Sequence, residues 1–262
     1  LFSRCFMFHR YLMLALVVCV FTGCQKESLT EDQKQIRAEL VDLGIEVMGN
    51  DILSVNLKGS QKVTPDLIEK IISFGKISYI NLSDTNVTDE CLEALQDAES
   101  VETIFLTGTE ITDKGLEHLT HLDGLIILHL PPTITDAGFK SIGEITSLRT
   151  LVADDCKITD TGMAELENLS ELRWLKINYT NIGDKGLNSI KDLTNLHTLE
   201  ISNTKITDRG LLVLSGLSKL NVIELSGCDV SEEAVEALRK ELPETEILSG
   251  VTLEAGGSGG GF

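Results

Sequence analysis

Aspartate side chains recur along this chain at a spacing that could in principle build metal sites. Successive copies are separated by 24, 23, 24, 24 and 24 residues, and they are Asp89, Asp113, Asp136, Asp160, Asp184 and Asp208. Repeated carboxylates can bind calcium, but neighbouring copies should lie several ångströms too far apart to share an ion whose ligand oxygens are about 2.4 Å away. We therefore expect these aspartates to accept hydrogen bonds at helix N-termini instead.

Other residue types with catalytic or metal-binding chemistry are sparse. His118 and His121 form an i, i+3 pair that could contribute to a zinc site, but no third ligand lies within sequence reach, so a solvated helix face is the preferred interpretation. The chain contains no nucleophile elbow, phosphate-binding loop, HExxH or CxxC motif. We predict no catalytic, cofactor or metal site, although a site assembled across several repeats is not excluded by sequence.

The internal cysteines suit packing better than redox chemistry. Cys156 and Cys228 occupy the same repeat position three repeats apart, which places them roughly 14 Å apart along a stack of strands. A disulfide requires a Cα separation of about 5.5 Å. We predict that both are buried turn residues, and that Cys91 is likewise a small packing residue.

The aspartates belong to a larger repeating phrase, Ile-Thr-Asp-Lys-Gly-Leu at 111–116, with a weakened copy at 230–235. Before each Thr-Asp lies an alternating apolar pair such as Leu175 and Ile177, which predicts a short strand with one buried face. After it, apolar residues at spacings of three and four, such as Leu211 and Leu214, predict a short helix. A period in the twenties predicts a solenoid of stacked strand-helix units.

A small residue follows each aspartate by two positions, in the first turn of the predicted helix. The residues are Cys91, Gly115, Gly138, Gly162, Gly186, Gly210 and Ala234. Glycine inside a helix costs about 1 kcal/mol relative to alanine, so its repetition predicts close packing against the neighbouring repeat. Strands stack about 4.8 Å apart and helices 8–10 Å apart, so the stack should curve with its strands on the inner, concave face.

The unit Leu-x-x-Leu-x-Ile-x-x-Thr-x-Ile-x-Asp-x-Gly-Leu at 172–187 resembles leucine-rich repeats of the cysteine-containing type. The position that is often Cys in that type carries Thr85, Thr109, Thr133, Cys156, Thr180, Thr204 and Cys228. The resemblance implies an α/β leucine-rich repeat solenoid, a right-handed β-α superhelix and horseshoe segment of about eight repeats of 23–25 residues. The 24-residue form is similar to repeats of bacterial envelope and secreted proteins, and longer relatives occur in F-box substrate receptors.

We divide the chain into four segments: a signal peptide at 1–23, a lipidated Cys with linker and N-terminal cap at 24–52, the repeat domain with its C-terminal cap at 53–251, and a disordered Gly/Ser tail at 252–262. In the cap, Thr30 and Gln33 form a capping-box pattern that predicts the start of a helix. Gly49-Asn50-Asp51 between two apolar runs predicts a hairpin that covers the first repeat.

The N-terminal segment has the features of an export signal. Arg4 and Arg10 flank a hydrophobic run at 11–20 that is too short to span a bilayer. Gly23-Cys24 resembles the lipobox of bacterial lipoproteins, although Phe21 replaces the usual Leu three positions before the Cys. The resemblance implies that Cys24 is the acylated first residue of the mature protein. Gln25 after it implies retention at the outer membrane rather than the inner one, so we expect an outer-membrane or periplasm-facing lipoprotein of the cell envelope.

The balance of charge narrows the choice of partner. Cleavage before Cys24 would leave 20 basic and 41 acidic residues, a net charge of −21. Such a field repels nucleic acid backbones and anionic lipid surfaces. We therefore expect a protein partner, with a basic one favoured, and membrane association through the N-terminal lipid alone.

Strand residues that flank the buried apolar pairs should point out of the concave face, and at these positions the residue types differ between repeats. The apolar, aromatic and cationic residues that gather at this predicted protein-binding face are Tyr79, Phe105, Ile127, His129, Val152, Trp174, Lys176 and Tyr179. Exposed aromatic residues near a lysine resemble an interaction hot spot. The alternative is that they pack only among themselves in a curved sheet.

These observations favour an exported, lipid-anchored protein-binding scaffold that is not an enzyme. Two alternatives remain at this point: an architectural envelope protein without a specific ligand, and an F-box-like substrate-receptor adaptor. The adaptor is disfavoured because the 25–50 segment is too short for an F-box and the leader directs export. The protein-binding function itself rests on analogy with the fold.

Overall fold

The computed structural model describes residues 30–42, 46–48 and 52–250. Within these ranges, ten short strands form one sheet whose spatial order follows the chain order. The strands are β1 (Glu46–Met48), β2 (Ile52–Asn56), β3 (Lys76–Asn81), β4 (Thr103–Phe105), β5 (Ile127–His129), β6 (Thr150–Val152), β7 (Trp174–Lys176), β8 (Thr198–Glu200), β9 (Val222–Glu224) and β10 (Glu246–Leu248). From β2 onward, all neighbours pair in parallel.

Helices connect consecutive strands and pack against one another along the back of the sheet. They are α1 (Glu31–Asp42), α2 (Pro65–Phe74), α3 (Asp89–Glu93), α4 (Asp113–Glu117), α5 (Asp136–Glu144), α6 (Asp160–Ala164), α7 (Asp184–Ser189), α8 (Asp208–Leu214) and α9 (Glu232–Glu241), with a 3₁₀ helix at His118–His121 after α4. The predicted solenoid of strand-helix units is confirmed.

The predicted helix and strand pair of the N-terminal cap are present, and the Gly49-Asn50-Asp51 turn lies outside the described residues. Strands β1 and β2 pair antiparallel, as expected for a hairpin, and α1 precedes them. The next helix, α2, begins as its sequence indicates: the Thr64 hydroxyl accepts a hydrogen bond from the Leu67 N–H, and Pro65 stands in the first turn, where no N–H is required.

A continuous core runs the length of the solenoid between the sheet and the helices. Each strand from β4 to β9 buries its central residue and leaves its two neighbours half-exposed. All seven predicted apolar pairs are buried. The helix stripes are buried with them, as at Leu116, Leu119 and Leu122. Period-2 strands and short amphipathic helices therefore share one core, as predicted.

The repeated aspartates bind the next repeat, and the threonines that precede four of them cap their own helices. Thr88 makes no such bond, and Asp184 follows Gly183. Asp136 accepts hydrogen bonds from the Thr159 N–H at 2.7 Å, the Thr159 hydroxyl at 2.7 Å and the Gly162 N–H at 3.0 Å. The same Thr159 hydroxyl accepts from the Thr161 N–H at 3.2 Å. Our expectation of a capping role thus holds for helix N–H groups one repeat further along the chain.

This arrangement recurs along the stack, and it lowers the pKa of the last repeated aspartate, Asp208. Asp89, Asp113 and Asp184 make the same two bonds to the next threonine, and Asp208 makes them to Ser231. The Ser231 N–H and hydroxyl hold the pKa of Asp208 below its usual range. Because hydrogen bonds to a carboxylate favour its charged form, this contact is lost as pH falls through the lowered pKa.

The conserved spacing of small residues has the predicted steric cause. A Cβ added at Gly162 would lie 2.6 Å from Asp136 Oδ1 and 3.2 Å from the Asp136 Cα. At Gly115, Gly138, Gly186 and Gly210 the aspartate of the preceding repeat is equally close. Each glycine leaves room for the carboxylate that caps its helix.

The Thr and Cys residues at equivalent strand turns, here called the turn ladder, are buried in most repeats but not at Thr133. The hydroxyls of Thr85, Thr109, Thr180 and Thr204 are buried and donate to the carbonyl three residues earlier. Thr133 is instead exposed and donates to the Ile111 carbonyl of the preceding repeat. This repeat is the one with 23 residues, and its turn contains Pro131 and Pro132.

The three described cysteines are free. Cys156 and Cys228 donate from Sγ to the carbonyls of Pro131 and Ile201 in the preceding repeat, at 3.3 and 3.1 Å. Burial raises the pKa of the Cys156 thiol to about 12, so it does not form a reactive thiolate at neutral pH. The predicted burial holds for Cys91 and Cys156, whereas Cys228 is only partly buried.

Several predictions concern segments that lie outside the described residues. The signal peptide at 1–23, Cys24 and the tail at 252–262 belong to this group. Among residues 30–42, 46–48 and 52–250, no helix is both long and apolar enough to cross a bilayer.

The steric role of the glycines predicts a change in the free energy of unfolding that is opposite in sign to the change expected from helix propensity. Gly162→Ala should lower the free energy of unfolding by about 1–3 kcal/mol, because its Cβ overlaps the Asp136 carboxylate. Propensity alone would raise it by about 1 kcal/mol. Urea denaturation followed by circular dichroism measures the difference.

Gly216→Ala is the matched control, since Gly216 lies in an exposed turn and its added Cβ would meet nothing within 4 Å. This variant should be unchanged or slightly more stable. In an Asp136→Ala background, the further cost of Gly162→Ala should shrink, because the clashing carboxylate is gone. Equal costs in both backgrounds would contradict the proposed contact.

Candidate functional site

Two columns of side chains cover the concave face of the sheet; they are half-exposed from β2 to β9 and exposed in β10. The strand registers align them across all repeats. The first column is Ser54, Tyr79, Thr103, Ile127, Thr150, Trp174, Thr198, Val222 and Glu246. The second column is Asn56, Asn81, Phe105, His129, Val152, Lys176, Glu200, Glu224 and Leu248. Because these residues alternate with the buried strand positions, the fold leaves their identity free.

An aromatic stack occupies the N-terminal half of this face. The Tyr79 and Phe105 rings lie 5.4 Å apart in an edge-to-face arrangement, and the Phe105 and His129 rings lie 4.1 Å apart. Burial, together with the positive charge of Lys176, lowers the pKa of His129 to about 4. At neutral pH the imidazole is therefore uncharged, and the three rings form one continuous apolar strip.

An ionic network occupies the centre of the face, one strand beyond Val152. Lys176 Nζ lies 3.3 Å from Asp154 Oδ2 and 3.2 Å from Glu200 Oε2. Glu200 also accepts from Trp174 Nε1 at 3.2 Å and from Asn178 Nδ2 at 3.5 Å. Burial alone would lower the pKa of the Lys176 ammonium, but Glu200 and Asp154 outweigh it and raise this pKa. Lys176 is thus held as an internal counter-ion.

Tyr179 lies at the turn that follows β7 and has an unusual backbone conformation for its residue type. Its φ is 58°, and its side chain is 61% exposed. Residues at the same turn of other repeats share the positive φ, and they are Gly59, Asp84, Gly108, Asp155, Asn203 and Gly227. Gly, Asp and Asn tolerate this conformation, whereas an aromatic side chain there is strained. The exposed ring gains little burial to offset that strain.

The structure divides the eight predicted residues into three groups. Tyr79, Phe105 and His129 are in direct contact. Ile127 and Val152 lie beside this stack in the two columns. The remaining three lie further along the face: Trp174 and Lys176 meet at Glu200, and Tyr179 stands at the rim.

Sequence reasoning missed the residues that organise the polar part of this face. Asp154 and Asn178 occupy the second position after the strand, and Asp154 accepts from the Asn178 N–H at 2.9 Å. In turn, Asn178 accepts from the Ser202 N–H at 2.6 Å. Asp and Asn at this position in consecutive repeats were a usable signal, because their side chains bond nearby backbone in turns.

No group of three or more metal-ligating side chains is present in the part of the chain that the structure describes. His118 and His121 lie on the 3₁₀ helix that follows α4, outside the two concave columns. What the concave face offers chemically is contact area, one aromatic strip and several carboxylates.

Comparison with known proteins identifies the fold. A family model described as Leucine Rich repeat matches residues 192–215, which is one repeat. The structure is similar to that of an internalin C2 from Listeria monocytogenes strain 4b F2365, with a TM-score of 0.63 and 23% sequence identity over 76% of this chain and 79% of that chain. No curated protein matches the sequence.

A second solved structure, of an internalin (inlF) from the same strain, is similar with a TM-score of 0.42 and 19% identity over 83% of this chain and 82% of that chain. The matched repeat and the internalin C2 likeness, with the strand order above, show that this chain folds as a leucine-rich repeat solenoid of the α/β class.

The environment of His129 predicts a specific pH dependence. An unfolded imidazole binds a proton near pH 6.5, whereas the folded one does so only near pH 4. The unfolded state therefore binds more protons between these values, so stability falls as pH is lowered through this window. Relative to His129→Gln, the protein should lose roughly 3 kcal/mol of unfolding free energy between pH 7 and pH 4.

Chemical denaturation at several pH values tests this expectation. His121→Gln provides the matched control, because His121 is exposed on the 3₁₀ helix. That variant should follow the pH profile of the unmodified protein. Parallel profiles for His129→Gln and the unmodified protein would show that His129 remains solvated in solution.

Proposed function

We propose that this protein is an exported, lipid-anchored recognition scaffold that binds a protein partner through the concave face of its repeats. The observation that carries this proposal is Tyr179, an aromatic residue held in a left-handed turn with 61% of its surface exposed. Strain that serves no packing purpose is characteristic of functional positions. Aromatic residues are also enriched where interfaces gain most of their affinity.

The rest of the concave face supports the same function. Phe105 packs edge-to-face against Tyr79 and also lies against His129, which gives a preformed apolar strip with few rotamers left to immobilise. Trp174 is fixed by its hydrogen bond to Glu200. A partner would therefore meet aromatic groups that are already oriented, which lowers the entropic cost of association.

A scaffold role also fits the leucine-rich repeat fold. Leucine-rich repeat arcs present a broad, rigid surface more readily than an enclosed reaction site. This inference is one of fold analogy, and binding is its testable content.

Tyr179→Asn separates function from stability. Asparagine tolerates a φ of 58°, so the variant should be as stable as the unmodified protein, or more stable by up to about 1 kcal/mol. Partner capture from an envelope extract by the purified repeat domain should fall sharply. Trp174→Ala should weaken binding of the captured partner by about 2 kcal/mol, or ~30-fold in Kd.

Glu117→Ala is the control on the helix side, since Glu117 is exposed at the end of α4. Its capture profile should match that of the unmodified protein. An architectural protein without a ligand would give the same profile for all three variants. Loss of a partner on helix-side changes alone would place recognition on the opposite surface.

Lipid anchoring is the second part of the proposal, and it rests on the Arg-flanked leader and Gly23-Cys24. In a double-membraned bacterial host, Cys24→Ser should move the protein from the membrane fraction to the soluble fraction. Mass spectrometry of the isolated protein should detect no peptide that precedes Cys24. A mature protein that retains the leader would rule out this anchor.

A further inference from the structure

The concave face is electrically asymmetric along the solenoid. In the two columns, the ten residues contributed by β2 to β6 carry no formal charge at neutral pH, because His129 is neutral. The eight residues contributed by β7 to β10 include one lysine and three glutamates, which are Lys176, Glu200, Glu224 and Glu246. The aromatic stack and the carboxylates thus lie at opposite ends of one surface.

The carboxylates of this acidic end are not equally neutralised. Glu200 is only 15% exposed in its side chain and has Lys176, Trp174 and Asn178 as partners. Glu224 pairs in register with Glu200 on the adjacent strand, yet within the described residues its carboxylate has no hydrogen bond or ion pair. Like charges placed opposite each other in a sheet destabilise it.

Glu224 therefore lies beside another glutamate on a half-exposed surface without a cation of its own. Glu246 follows on the next strand and is exposed. Lys176 shows how this face accommodates a cation, because the ammonium bridges two carboxylates there. A cationic side chain from a partner placed near Glu224 would complete the same pattern one strand further on.

The distance between the two ends defines the partner more closely. His129 and Glu224 are in the same column and are separated by four strand-to-strand steps, or about 19 Å. An extended chain covers about 3.3 Å per residue, so roughly six residues span this distance. Such a segment would run across the strands, along the axis of the solenoid.

We infer that the concave face recognises an extended protein segment that carries an aromatic or large apolar side chain and a lysine or arginine about six residues apart. The apolar side chain packs on the Phe105–His129 strip, and the basic side chain pairs with Glu224. This inference rests on the proposed concave-face binding and adds the chemistry of the partner. Two copies of this acidic chain would repel each other at the carboxylate end, so a different protein is the expected occupant.

The test uses random 12-residue peptides displayed on phage and selected on the purified repeat domain. Enriched peptides should combine an aromatic residue with a basic residue at the expected spacing. Synthetic versions are then titrated by fluorescence anisotropy. Glu224→Gln should weaken binding about 5- to 30-fold and flatten its salt dependence, since one charge pair is lost without a change of shape.

A double-mutant cycle identifies the pairing. Replacing the peptide's basic residue with norleucine should weaken binding to the unmodified domain but have little further effect on the Glu224→Gln variant. Phe105→Ala should weaken the same peptide, and Glu117→Ala should not. The thermal midpoint of Glu224→Gln should equal or exceed that of the unmodified domain, which shows that a binding loss is not a folding loss.

Different failures point to different errors. Peptides whose affinity falls with Phe105→Ala but does not change with Glu224→Gln would overturn the basic-partner inference and leave concave-face binding intact. Peptides whose affinity is unchanged by Phe105→Ala, Tyr179→Asn and Glu224→Gln would overturn the proposed function itself. A dimer of the domain that Phe105→Ala converts to monomer would identify a second copy as the occupant and so refute the inference.

Discussion

The hydrogen bonds that each repeated aspartate accepts from the next repeat are the constraint on which the rest of the structure depends. One carboxylate, such as that of Asp136, binds the N–H and hydroxyl of the following threonine and the N–H of the following glycine. The threonine hydroxyl can then cap its own helix. Because these contacts join equivalent points of adjacent repeats, they fix the repeat length, the start of each helix and the need for glycine beside each carboxylate.

A backbone fixed in this way leaves the concave face unconstrained by folding. The core uses the central residue of each strand, and the caps and glycines lie behind the sheet. The flanking strand residues are therefore free to differ between repeats without loss of the fold. The variation seen there, from Tyr79 and Phe105 at one end to Glu200 and Glu224 at the other, is where recognition can be encoded.

Electrostatics then separates the two halves of that face. Burial keeps His129 uncharged against Phe105, which extends an apolar surface. Two strands further on, Lys176 is held between Asp154 and Glu200, so this lysine stabilises the face internally and offers little free charge to a partner. Together with the strained Tyr179 at the rim, these features describe a surface whose apolar and acidic parts are separate.

The sequence alone determined the solenoid, because the 24-residue period, the alternating strand pairs and the glycine spacing are local patterns with one common solution. It also placed all eight candidate residues in or beside the strand positions that face outward. Tertiary structure decided the contacts between repeats, which a one-dimensional pattern cannot contain. Each aspartate binds the N-cap residue of the next helix, Thr133 departs from the turn ladder in the short repeat, and Lys176 is neutralised by Asp154 and Glu200. These contacts join residues about 22 to 26 positions apart, and only the stacking of repeats brings such residues within hydrogen-bonding distance.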